Sequence, residues 1–115
     1  MKPSFWYCDM YHMNFYYCLG WKRSDFTNYV KKAFDYDCTV AAGKTLMVQG
    51  ENHSIIVIWV SKKTDYSVLA HECLHAANMT LAHIGWKPNL NNDEPQADLL
   101  SQIFTNAIKT KKGTK

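Results

Sequence analysis

Long apolar runs are missing from this sequence. The longest, Ile55–Val60, has six residues, whereas a helix that spans a bilayer needs about 18 or more. The first nine residues include Lys2 and Pro3 and lack the apolar stretch of a secretory signal. We therefore expect a cytoplasmic protein without a membrane partner.

Closely spaced cysteines are also missing. No C-x-x-C motif occurs, and the four cysteines are well separated: Cys8, Cys18, Cys38 and Cys73. We predict reduced and mostly buried thiols, as is usual in the cytosol. A disulfide between the first two, across a hairpin, is the alternative.

Excess charge of either sign is small, with a formal net charge of +3 over 115 residues. Much of it comes from residues 109–115, which contain four lysines. We expect this segment to be a flexible, solvated C-terminal tail. No basic stripe or nucleic-acid-binding motif accompanies it, so nucleic acid is not an expected partner.

Proline and glycine are rare, at 3 and 5 residues, and they form no linker. No internal repeat divides the chain, and 47% of its residues are apolar. A chain of 115 residues is long enough for one modest core. We therefore predict a single domain over residues 1–108, followed by the tail.

Local patterns predict an α+β fold. Segments rich in aromatic and β-branched residues predict strands, and apolar residues at helical spacing predict helices. The predicted strands lie near 4–8, 13–19, 44–48 and 54–60, and the predicted helices run from Ser24 to about Phe34, from Thr64 or Asp65 to about His83, and from about Asp93 to Lys109. The strand 54–60 is apolar at every position after its first residue. Both of its faces should therefore be covered.

Helix ends and turns follow from residue types. Ser24 is the predicted N-cap of the first helix, and Thr64 or Asp65 is that of the second. Gly85 is predicted to end the second helix, and residues 49–53 have the composition of a turn between two strands. The predicted buried stripe of the first helix consists of Phe26, Tyr29, Val30, Ala33 and Phe34.

One stretch, Leu69–His75, carries residues suited to chemistry and reads L-A-H-E-C-L-H. It contains H-E-x-x-H, in which two histidines four residues apart project from one face of a helix and can share a metal ion. Glu72, next to the first histidine, lies within reach of a water bound to that metal and can act as its general base. Cys73 is expected to point away from that face. The motif therefore predicts a Zn²⁺ site of the catalytic kind.

A catalytic zinc site needs a third protein ligand and leaves a fourth position for water. Glu94 is the candidate, after eighteen intervening residues. If its segment is helical, Asp98 lies one turn on and can accept the other N–H of a ligand histidine, which fixes the orientation of that ring. The alternative is a surface helix with two solvated histidines.

H-E-x-x-H-x18-E with an aspartate four residues further resembles the gluzincin group of zinc metallopeptidases. More closely, the chain resembles small metallopeptidases of bacteriophages and prophages, in which an Ile/Trp-rich strand precedes L-A-H-E-C-x-H-A and an N-x-E-x-x-A helix follows. The similarity covers roughly residues 14–108. It implies a minimal zincin-like fold, with three or four mainly antiparallel strands packed on three helices and one Zn²⁺ held by His71, His75 and Glu94.

The resemblance also implies roles and a substrate class. Glu72 would be the general base, Asp98 would support a ligand histidine, and the substrate would be a peptide or protein, with a host protein in the host cytoplasm as one candidate. In zincins the strand before the metal helix typically lies beside the cleft and pairs with extended substrate. We expect residues 55–60 or the neighbouring strand to lie there.

The chain departs from the gluzincin pattern at one point, because no His, Tyr or Arg follows Glu94. An oxyanion donor must therefore come from the aromatic N-terminal region, from His83 or Trp86, or from backbone N–H groups. His83 is otherwise expected to be a surface or helix-end histidine, and His12 and His53 are not expected to be ligands. A competing hypothesis is a zinc-binding phage protein, weak or inactive in catalysis, that binds a host protein.

Overall fold

The structure is a computed structural model, and it describes residues 1–50 and 54–113, with side chains up to residue 109. Each predicted strand and helix is present. In chain order the elements are β1 (Ser4–Cys8), β2 (Met13–Leu19), α1 (Arg23–Phe34), β3 (Gly43–Gln49), β4 (Ser54–Val60), α2 (Tyr66–His83) and α3 (Glu94–Gly113). Part of the predicted turn, residues 51–53 with His53, lies outside the described residues.

In the described part of the chain, the strands form one mixed four-stranded sheet in the order β1-β2-β4-β3. β1 pairs with β2 and β3 pairs with β4 in antiparallel fashion, whereas β2 and β4 are parallel. A parallel pair requires a crossover connection, and α1 and β3 lie within it. Together with the three helices of the described residues, this sheet confirms the predicted α+β class, and β1 and β3 are its outer strands.

β4 lies inside the sheet, and both of its faces are covered, as predicted. Ile56 packs in the core that α2 and α3 cover, whereas Val57 and Trp59 pack in the core that α1 covers. The ring of Trp59 stacks on Phe26 with centroids 5.1 Å apart, and its Nε1 donates to the backbone oxygen of Trp21 at 2.9 Å. β4 therefore separates two cores and contributes to each.

The first helix begins earlier than predicted. Ser24 is not its N-cap, since α1 starts at Arg23 and Lys22 is the N-cap without a side-chain hydrogen bond. The backbone oxygen of Lys22 accepts from the amide of Phe26 at 3.0 Å, which places Ser24 inside the first turn. Ala33, predicted to belong to the buried stripe, is exposed, because its methyl group is too short to reach the core that longer side chains of α1 reach.

The other two helices agree more closely with prediction. Asp65 is the N-cap of α2, and its carboxylate accepts from the amide of Val68 at 3.2 Å. Gly85, with φ of 89°, follows the end of that helix. α3 continues to Gly113, four residues beyond the predicted end at Lys109, and residues 114 and 115 of the predicted tail lie outside the described part. Within residues 1–50 and 54–113, no helix is long and apolar enough to cross a membrane.

All four cysteines are free. Cys8 belongs to the core that α2 and α3 cover, whereas Cys18 belongs to the core that α1 covers. The two side chains therefore lie on opposite faces of the sheet, and the alternative of a disulfide between them is wrong. Burial raises the pKa of the Cys18 thiol to about 12.

We expect the folded protein to lose stability as the pH rises from 9 to 12, in part through Cys18. The pKa of this thiol is 9.0 when solvated and about 12 in the fold. Above pH 9 the unfolded state therefore binds fewer protons than the folded state. The free energy of unfolding then falls by up to about 1.4 kcal/mol per pH unit for such a group. Urea denaturation at a series of pH values measures the slope.

Cys18→Ala should show a shallower fall of stability with pH than the parent. Cys38→Ala is the matched control, because Cys38 is only half-buried and its removal should change the slope less. An unchanged slope in Cys18→Ala would contradict this assignment.

Candidate metal centre

Helix α2 carries the H-E-x-x-H motif, and the side chains of the motif differ in burial. His71 and His75 are exposed, whereas Glu72 and Cys73 between them are buried. The division follows from the helical period, in which residues four apart share a face. Cys73 belongs to the core that α2 covers, which confirms that its thiol points away from the histidines.

The two histidine rings face each other. Nε2 of His71 lies 3.1 Å from Nε2 of His75, and the ring planes meet at 82°. Two ring nitrogens at this distance can form a hydrogen bond or bind the same metal ion. On a tetrahedral zinc, two nitrogen ligands at about 2.05 Å are roughly 3.3 Å apart. The observed pair fits that ligand geometry.

The carboxylate of Glu72 is fixed by a neighbouring strand. Glu72 is 7% exposed, and Thr45 Oγ1 of β3 lies 2.6 Å from its Oε1 and 3.0 Å from its backbone oxygen. The shorter distance is typical of a charge-assisted O–H···O⁻ hydrogen bond. The hydroxyl therefore orients Oε1, while Oε2 lies toward Gly43.

β3 approaches α2 closely at Gly43. A Cβ atom on this residue would lie 2.8 Å from Val68 Cγ1 and 3.0 Å from Glu72 Oε2. Glycine is thus required by the contact between strand and helix. Neither Gly43 nor Thr45 is predicted from the motif, because Thr45 is 27 residues from Glu72 in sequence. A glycine in a strand, which often marks a close backbone approach, is the one available signal.

An open cleft follows the groove between β3 and α2. One cavity of about 430 Å³ is lined by Gly43, His71 and Glu72 among others, and a second of about 290 Å³ is lined by Thr45, Glu72 and His75 among others. Glu72 lines both cavities, so it lies where they meet, with one histidine on either side. β3 is an outer strand of the sheet, so the cleft also borders a strand edge that no other strand of the described residues pairs with.

Glu94 is the first residue of α3, and both it and Asp98 are exposed. Gln96 Nε2 donates to Asn78 Oδ1 at 2.6 Å, which joins the first turn of α3 to α2 one turn beyond His75. Among the residues that the structure describes, no three His, Cys, Asp or Glu side chains are grouped to hold a metal ion. The two histidines are therefore brought together without Glu94, and the roles of Glu94 and Asp98 remain predictions.

The other described histidines have partners elsewhere. His83, in the last turn of α2, contacts the side chains of Gln49 at 3.0 Å and Ser54 at 3.4 Å. It thereby joins the helix to the turn end of β3 and β4 and is a helix-end histidine, as predicted. His12 Nδ1 lies 2.8 Å from the hydroxyl oxygen of Tyr7, within the β1–β2 hairpin.

Comparison of the chain with family models, with curated proteins and with solved structures finds no match. The function is therefore inferred from the residues of the site and their geometry.

We expect Thr45→Val to lower the free energy of unfolding by about 1–3 kcal/mol, because it leaves a buried carboxylate without its hydroxyl partner. Thr45→Ser keeps the hydroxyl and should keep the interaction. Urea denaturation of Thr45→Val, Glu72→Ala and the double variant isolates the pairwise energy.

Thr80→Val is the matched control for this cycle. Thr80 is also buried, but its hydroxyl donates to the backbone oxygen of Ala76 at 2.8 Å. We expect a coupling with Glu72 of about 1 kcal/mol or more for Thr45 and close to zero for Thr80. Equal coupling energies of Thr45 and Thr80 with Glu72 would show that the hydrogen bond from Thr45 to Glu72 is not the source of the coupling.

Proposed function

We propose that this protein is a small zinc-dependent metallopeptidase that hydrolyses peptide bonds in a peptide or protein substrate. The observation that carries the proposal is the placement of Glu72. Its carboxylate is held by Thr45 at 2.6 Å, between two histidines whose Nε2 atoms are 3.1 Å apart, beside a free strand edge. A purely structural zinc site needs no general base and is closed by a fourth protein ligand.

His71 and His75 would hold the zinc through Nε2, and Glu94 is proposed as the third ligand. The position of α3 supports this choice, since Gln96 contacts α2 one turn beyond His75. Asp98, one turn beyond Glu94, is proposed to accept the remaining N–H of a ligand histidine. When bound, zinc supplies Lewis acidity to the scissile carbonyl and to a water molecule.

Glu72 is proposed as the general base. Its Oε1 is fixed by the Thr45 hydroxyl, so Oε2 is the oxygen that takes the proton from the attacking water. Oε2 then delivers this proton to the nitrogen of the leaving amine as the peptide bond breaks. The burial of Glu72, at 7% exposed, lowers the local dielectric constant and strengthens its electrostatic interactions.

The substrate is proposed to lie along β3 as an added strand. Among the described residues, β3 pairs with a strand on one side only, β4, so backbone N–H and C=O groups on its outer edge are proposed to pair with a peptide. The oxyanion that forms during attack needs N–H donors. His83 is engaged with Gln49 and Ser54, Trp86 packs against the core that α2 and α3 cover, and the aromatic strands β1 and β2 lie on the other side of β4 from β3. The backbone N–H groups of β3 are therefore the proposed donors.

A second hypothesis is a zinc-binding phage protein that binds a host protein with little or no catalysis. The sequence favours it at one point, because no His, Tyr or Arg follows Glu94 to hold an oxyanion. β1 also presents exposed aromatic side chains, Phe5 at 56% and Tyr7 at 41%, which suit a protein partner. Peptide cleavage distinguishes the two hypotheses.

We expect Glu72→Gln to keep the zinc and to lower the rate of cleavage by at least about 100-fold, because the amide cannot accept the proton. The substrate is a mixture of bacterial peptides, and new termini are identified by mass spectrometry. Zinc per chain is measured by elemental analysis on the same samples.

Glu94→Gln is the matched variant at the proposed ligand, in which zinc content and cleavage should fall together. A Glu72→Gln variant that cleaves as fast as the parent would contradict the mechanism. Tight retention of a protein partner by the zinc-loaded parent, without any cleaved product, would favour the second hypothesis.

A further inference from the structure

A third cavity extends the cleft past His75. It has a volume of about 490 Å³, and its lining includes residues 44–49 of β3, Met79 of α2, and Phe34 and Tyr36 at the end of α1. Met79 also lines the cavity that contains His75, so the two cavities adjoin. The hydrolytic chemistry proposed above does not use this third cavity.

The side chains of β3 define two sides of this cavity. Thr45 points toward α2, whereas Leu46 points to the opposite face, into the core that α1 covers. Successive side chains of a strand alternate between faces. A peptide added to this edge would therefore present its side chains alternately to Met79 and to the aromatic pair Phe34 and Tyr36.

The side chains of Phe34 and Tyr36 form one apolar side of the cavity. Phe34 packs edge-on against Tyr29, with ring centroids 5.8 Å apart. Asp35 has a left-handed conformation with φ of 53°, and its amide donates to the backbone oxygen of Lys31, so the chain turns away from the helix axis before Tyr36. Tyr36 is 47% exposed and belongs to neither core. Its ring is therefore accessible from the cavity.

We propose that this cavity is a specificity subsite that takes one large apolar side chain, aromatic or long aliphatic, of a peptide lying along β3. The inference rests on the proposed function and names its substrate class. Leu46 and Val48, two residues apart and so on one face of β3, both line the cavity. They lie one and three residues from Thr45, which contacts Glu72, so the apolar residue lies about one to three residues from the scissile bond.

The chemistry of the lining favours an apolar occupant. Aromatic rings bind other rings edge-on or offset, so Phe34 and Tyr36 suit an apolar side chain that projects to the α1 face of β3. Of the described residues that line the cavity, only Lys44 is charged. An acidic side chain is therefore the competing occupant that the experiment must include.

The test measures peptide binding by the zinc-loaded Glu72→Gln variant. The probes are fluorescein-labelled, capped heptapeptides of serine and threonine that differ only at the central residue, which is phenylalanine, leucine, glycine or glutamate. We expect the Phe and Leu peptides to bind about tenfold more tightly than the Gly peptide. Adding Tyr36→Ala should lower that ratio to about threefold or less. Met79→Ala, on the α2 face of the strand, should lower it less, because successive side chains alternate between faces.

Phe5→Ala is the matched control, because Phe5 is an exposed aromatic residue on β1, the opposite outer strand. It should leave the ratio unchanged. The subsite is contradicted if the Gly or Glu peptide binds as tightly as the Phe peptide, if no peptide binds, or if Tyr36→Ala leaves the ratio unchanged. Cleavage by the parent is measured separately. A peptidase without this subsite would cleave peptides but show no preference for Phe in binding, whereas a subsite without catalysis would show the preference and no cleavage.

Discussion

The hydrogen bond between Thr45 and Glu72 is the interaction on which the rest of the site depends. It joins the outer strand β3 to the motif helix α2 at 2.6 Å. Gly43 permits this approach, because a Cβ atom there would lie only 2.8 Å from Val68. As a result, one carboxylate, two facing imidazole rings and a free strand edge are held in a single groove. A shift of β3 away from α2 would separate the proposed base from the edge along which a substrate is proposed to bind.

The position of β3 depends in turn on β4. β4 is apolar on both faces and lies inside the sheet, with a core on each side. β3 pairs with β4 along its whole length, from Gly43 opposite Val60 to Gln49 opposite Ser54. Within residues 1–50 and 54–113, no strand pairs with its second edge, which borders the groove. The same groove continues toward the aromatic end of α1, where the proposed specificity subsite lies.

Local sequence patterns were sufficient to predict the strands, the helices and the pairing of His71 with His75. The aromatic and β-branched segments of the strands and the four-residue spacing in α2 depend on nearby residues, and the structure confirms the elements and the facing rings. The predicted Ser24 cap was wrong because the backbone of Lys22 starts the helix earlier. The sheet order and the contact of Thr45 with Glu72 join residues far apart in sequence, so no local pattern reveals them. The position of Glu94 relative to the two histidines depends on how α3 packs on α2. Its role as a ligand remains a prediction.

The central claim is that the groove holds one zinc ion with an open position beside Glu72. A crystal structure of the zinc-loaded protein, recorded at the zinc absorption edge, tests it most directly. We predict one anomalous peak at about 2.0–2.2 Å from Nε2 of His71, from Nε2 of His75 and from the carboxylate of Glu94, with Glu72 nearby but not bonded to it. The absence of a peak at these residues, or a fourth protein ligand that closes the site, would contradict the claim.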